Sequence, residues 1–178
     1  MKLSILRALA ALVLTFSSAP SLSQQIGSWR IDLNEYLKRQ SDNIYAATLN
    51  DSENVFGQFC YPAEGSCMWI LGISTGCQDK STYPVLASTE AGAISLEVIC
   101  FGKYADRYYR YAFADFDKVD SLVRAGTRIG IVFPLKGAGE FKAIRFDLNG
   151  AIEAIDKMRS AAEKLTTSGP KGTRDTKL

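Results

Sequence analysis

From Ile44 onward the apolar positions fall into short runs broken by turn residues. IYAATL (44–49) is followed by NDSEN, VFGQFCY (55–61) by PAEGS, and CMWILGIS (67–74) completes a third run. YPVLAS (83–88), TEAGA and ISLEVICF (94–101) repeat the scheme. Runs of this length, rich in β-branched and aromatic residues and bounded by Gly, Pro, Asn and Asp, predict an antiparallel meander with short connections. A further strand is expected over 107–113, where Arg107, Tyr109, Tyr111 and Phe113 share one face and Tyr108, Arg110 and Ala112 the other. IGIVFPL (129–135) and EFKAIRFDL (140–148) supply two more strands, joined by the glycine turn KGAG.

Helical spacing appears in three places. Asp32 and Glu35 form a capping-box pair ahead of Leu33, Tyr36, Leu37 and Gln40, which predicts a short helix over 32–41. Asp117 is expected to cap a second helix, with Val119, Leu122 and Val123 on its apolar side and Gly126 at its end. From about Asn149, the residues Leu148, Ile152, Ile155, Met158, Ala162 and Leu165 repeat at intervals of three and four. That stripe predicts an amphipathic helix laid on a sheet. The expected fold is therefore α+β: an antiparallel twisted sheet, or small sandwich, of about eight strands with a C-terminal helix packed on it.

The first residues change where this domain is expected to work. Lys2 and Arg7 precede an apolar run from Ala8 to Phe16, and small residues follow, with Ser21 and Ser23 at the positions a signal peptidase reads. The run is shorter than the roughly 20 residues that a membrane span requires. A signal peptide over 1–23, a single domain over 24–166 and a disordered polar tail over 167–178 are the expected organisation. The mature form is expected to have no membrane span and to be periplasmic or secreted. Cleavage removes Lys2 and Arg7, leaving 19 basic and 19 acidic residues. A balanced charge provides no long-range field for DNA, so nucleic-acid binding is not expected.

Export makes the four cysteines, Cys60, Cys67, Cys77 and Cys100, candidates for disulfides. Of the three possible connectivities, local geometry favours Cys60–Cys67, which flank the turn YPAEGS, and Cys77–Cys100, which each end a strand region. Loop entropy gives these bridges about 2.5 and about 3.4 kcal/mol respectively. No C-x-x-C unit is present, so thiol exchange and thiolate zinc binding are disfavoured.

The chain contains no histidine. Ser-His-Asp and Cys-His nucleophile activation are closed to it, as is histidine-based zinc binding, and neither a metal nor a cofactor is expected. Paired carboxylates could still act as acid and base, with Asp115 and a glutamate as the pair. Asp117 and Asp120 have a competing structural explanation at a helix N-terminus.

The stretch KYADRYYRYAF (103–113) combines four tyrosines with three basic residues. Tyr111 and Phe113 suit a core, leaving Tyr108 and Arg110 outward beside Lys103 or Tyr104. Tyrosine and arginine dominate interface hot spots, although an outward tyrosine ladder also stabilises a sheet by itself. The candidate binding patch is Lys103, Tyr108 and Arg110, with Trp69 added if its strand face is open.

RAGTRIGIVFPL and FDLNGAIEAIDKM resemble the invasion-associated locus B family of small exported proteobacterial proteins. The likeness spans roughly residues 94–165. It implies a β-rich periplasmic or surface fold linked to host-cell entry, without an established enzymatic activity, and it carries over no functional residues. The expected function is a non-enzymatic exported binding protein whose partner is a protein or an envelope component, with a link to the envelope or to host contact. The alternatives are a small periplasmic hydrolase with paired carboxylates, or an inhibitor or immunity-type partner of an exported toxin.

Overall fold

The computed structural model describes residues 23–33, 37–38, 41–134 and 140–167. The expected signal peptide (1–22 of it), half of the predicted helix over 32–41, the glycines at 137 and 139 and nearly all of the tail lie outside the described residues. Ten strands form one sheet. They are β1 (Ser23–Ile26), β2 (Trp29–Asp32), β3 (Ile44–Leu49), β4 (Val55–Tyr61), β5 (Ser66–Ile73), β6 (Thr82–Thr89), β7 (Gly92–Ala105), β8 (Tyr108–Phe113), β9 (Arg128–Pro134) and β10 (Phe141–Asp147). Among the described residues, two further elements, the helices α1 (Phe116–Ala125) and α2 (Ala151–Thr167), complete the α+β architecture.

The spatial order is β1-β2-β3-β4-β5-β8-β7-β6-β9-β10, and every pairing is antiparallel. The eight expected strands are all present. The two additional ones, β1 and β2, form an N-terminal hairpin whose four-residue arms are too short to stand out as alternation. Asp32 ends β2, and half of the helix expected from it falls on residues outside those described. One helical hydrogen bond, from Leu37 N to Leu33 O at 3.0 Å, follows it.

The sheet curls until its ends approach. Trp29 Nε1 donates to Asp147 O at 3.0 Å, Ser28 N to Asn149 O at 3.0 Å, and Asn50 Nδ2 to Arg145 O at 3.3 Å. Inside the curl, Phe56 stacks on Trp69 with centroids 5.2 Å apart and meets Trp29, Phe113 and Phe146 edge-on or tilted. Tyr83, Tyr111 and Phe133 form a second aromatic group. Each buried ring of this size contributes roughly 4–6 kcal/mol of transfer free energy.

The helices cover the concave side. On α2 the buried stripe is Ala151, Ala154, Ile155, Met158 and Ala162. Ile152, expected on that stripe, is exposed, because the helix starts at Ala151 and turns its small alanines inward to approach the sheet closely. On α1 the expected apolar side, Val119, Leu122 and Val123, is buried. The cap is Asp115, whose side chain accepts from Lys118 N at 3.0 Å, and not Asp117, which lies inside the first turn.

Both disulfides form as expected: Cys60–Cys67 across the β4–β5 pair, and Cys77–Cys100 between the loop after β5 and β7. The second holds that loop over the end of the sheet, where Tyr111 Oη donates to Thr75 O at 2.8 Å and Gln78 N donates to Tyr83 Oη at 3.0 Å.

Candidate functional site: the outer face of β4, β5, β7 and β8

Residues directly opposite one another in an antiparallel sheet share a face. Gln58 pairs with Trp69, and Phe56 with Leu71 and through it Tyr111; these face the core. The alternate row, Ala47–Gly57–Ile70–Ala112–Ile99, crosses five strands on the outer side. Ala47, Ile70 and Ala112 are 8%, 3% and 5% exposed, yet they stand apart from the continuous core cluster.

Arg110 is on the same face. It stands opposite Gly72, which in turn stands opposite Val55. Tyr61 is on the same face of β4 but six residues along from Val55, about 20 Å away at 3.3 Å per residue. Burial holds the Tyr61 hydroxyl above its ordinary value of 10.0, and the Arg110 charge pulls it back down. The guanidinium lies over the Tyr104 ring, 5.7 Å from its centroid, and Tyr104 is 73% exposed.

A β-bulge decides which neighbours join Arg110. The β7–β8 register shifts between Cys100 and Lys103 and again before Ala105, around Gly102, whose φ of +75° suits a residue without a side chain. Lys103 consequently pairs with Tyr109, on the opposite side of the ribbon from Arg110. Tyr104, which simple alternation would turn away, is brought to Arg110 instead. Tyr108 is tied to the β3–β4 turn: its hydroxyl donates to Glu53 Oε2 at 3.3 Å, beside the Arg107–Glu53 ion pair. Trp69 is fully buried against Phe56 and Trp29, so its face is closed and it has no place in a surface patch. Of the sequence-predicted patch, Tyr108 and Arg110 remain on the outer face, Lys103 lies on the other side, and Tyr104 is added.

Several acidic residues, the candidate Asp115 among them, are held in other contacts. Asp115 is held below the usual carboxylate range by its hydrogen bonds with Lys118, and Asp147 by those from Ser28 and Asn149. Glu90 is lowered to about 2, chiefly by the Thr127 hydroxyl at 2.7 Å. A general acid in a carboxylate pair needs the opposite shift. Asp120 bonds Arg124 and Arg159, joining α1 to α2. A shallow depression of about 490 Å³ on α2 is lined by Glu153, Asp156, Lys157 and Lys164 among others, but Glu153 is paired with Lys157 and Asp156 with Arg124. No helix among the described residues is long and apolar enough to cross a membrane.

No family model matches the chain, and comparison with curated proteins finds no match. Among solved structures, the chain is similar to the crystal structure of invasion associated protein B from Bartonella henselae. The TM-score is 0.56 and the identity 18%, over 79% of this chain and 98% of that one. At this identity the likeness is one of fold.

Proposed function

We propose that this chain is an exported, non-enzymatic binding protein that engages a protein partner at the envelope or at a host surface, through the outer face around Arg110. The observation that carries this reading is the half-buried Arg110 with its guanidinium over the exposed Tyr104 ring, beside the buried outer-face residues Ile70 and Ala112. Wide aromatic area beside a directed cation is the composition of an interface hot spot.

Export is supported by the disulfides, since all the described cysteines are paired and such bridges persist in oxidising compartments. The shared fold with a protein named for its association with invasion supports a place at the cell surface. The paired-carboxylate alternative has less support, because Glu90, Asp115 and Asp147 all shift away from the protonated form such chemistry needs.

Affinity capture from periplasmic and envelope fractions tests the reading, using the mature protein beside Y104A and R110A. Loss of the same partner from both variants, with folding intact by circular dichroism, is the expected result. Unchanged capture by both would overturn it.

A further inference from the structure

We propose that Arg110 is a carboxylate receptor, and that the partner seats an Asp or Glu side chain on it; this rests on the binding reading above. Among the described residues only two arginines are half-buried, Arg110 and Arg159. Arg159 is fully engaged: Nε donates to Gln58 Oε1 at 2.7 Å, a terminal nitrogen bonds Asp120, and the guanidinium lies 5.4 Å from the Phe116 ring centroid. Arg110 has the ring contact and nothing more. Its Nε is buried without an acceptor, and no described carboxylate or carbonyl receives its terminal nitrogens. A guanidinium partly withdrawn from water with a donor left unbonded is costly, and an incoming anion that accepts from it relieves that cost.

The surroundings select the anion. Tyr104 occupies one face of the guanidinium, so a ligand meets its edge, where the two terminal nitrogens present parallel N–H groups that fit a planar carboxylate. Asp42 and Glu64 lie close enough to raise the Tyr61 hydroxyl, and Arg110 is the cation that opposes them there. One positive charge within an acidic fringe suits a monoanion and disfavours a phosphate dianion. Gly72, opposite Arg110, contributes no side chain, the Val55 side chain lies over it, and these apolar neighbours with Ile70 and Ala112 suit the methylenes of an acidic side chain.

The test combines stability and binding on the mature, oxidised protein. R110M keeps the length of the side chain and removes the charge, so its urea midpoint should rise above wild type. An arginine retained for structure would give a lower midpoint and overturn the proposal. Acetyl-Ala-Glu-Ala-amide should shift the Arg110 side-chain Nε–H resonance and raise the wild-type midpoint, with no change of midpoint in R110M. The Gln analogue should do neither. A larger response to inorganic phosphate at equal ionic strength, or no response to the Glu peptide, would sink the carboxylate assignment. Against the captured partner, R110M should weaken binding roughly thirtyfold, the scale of a hot spot of about 2 kcal/mol. Capture lost in Y104A but kept in R110M would overturn this inference alone, whereas capture kept in both would overturn the binding surface itself.

Discussion

Arg159 on α2 donates from Nε to the side-chain oxygen of Gln58 on β4 at 2.7 Å, a contact between residues 101 apart in sequence. Gln58 is wholly buried, and its amide nitrogen has no partner. Truncation in R159A strips the amide of its remaining bond and leaves Asp120 with Arg124 alone. The expected loss is about 2 kcal/mol, the cost of a buried polar group left unmade. Urea unfolding measures it, and Q58L combined with R159M should lose less than R159A. A loss under about 0.5 kcal/mol in R159A would place the contact among surface substitutions without consequence.

The β1–β2 turn crosses the link between β10 and α2 through two glycines. Gly27 and Gly150 have φ of +55° and +85°, and a Cβ on either would collide with the backbone of the other segment, Asn149 or Ile26. G150A is expected to cost more than about 2 kcal/mol, combining left-handed strain with the collision. Hydrogen exchange should show the β1–β2 hairpin loosening first, beginning at Ser28 N, which bonds Asn149 O. Uniform protection across the sheet in G150A would contradict this.

The bridges close loops of different length, with sequence separations of 7 and 23. Replacing Cys77 and Cys100 together by alanine should cost about 3.4 kcal/mol, and replacing Cys60 and Cys67 about 2.5 kcal/mol. Denaturant midpoints of the two double variants establish the order. A reversed order would mean that native-state contacts, and not loop entropy, set these contributions.

Burial raises the Tyr111 hydroxyl well above its ordinary value of 10.0, and neighbouring Tyr83 and Tyr109 add to the shift. A folded value above the unfolded one stabilises the protein fully below pH 10 and is lost as pH rises beyond it. Y111F removes this dependence along with the bond to Thr75 O. Its stability should be lower near neutrality by about 1 kcal/mol and should fall less steeply than wild type above pH 10. Parallel alkaline slopes for the two proteins would refute the assignment.

Much of the architecture was legible along the chain because the relevant forces are local. Turn residues at NDSEN, PAEGS and TEAGA delimit runs whose alternation marks strands, and all eight expected strands are there. The cysteines flanking YPAEGS pair because a short turn brings facing residues together. The β1–β2 hairpin is not legible along the chain because its arms are only four residues long. The site was legible only in part: Tyr108 and Arg110 were placed on the outer face by alternation, but Lys103 and Tyr104 were exchanged by the bulge at Gly102.

Sequence alone determined the fold class, the absence of histidine chemistry and the two disulfide pairings, since each follows from composition or from contacts between near neighbours. Tertiary structure alone decided that Trp69 is core, that Asp120 binds two arginines, and that Arg110 lies half-buried with its Nε unbonded among the described residues. Those outcomes depend on which distant strand or helix covers a side chain, and the free energy of a charge is set by what surrounds it in space.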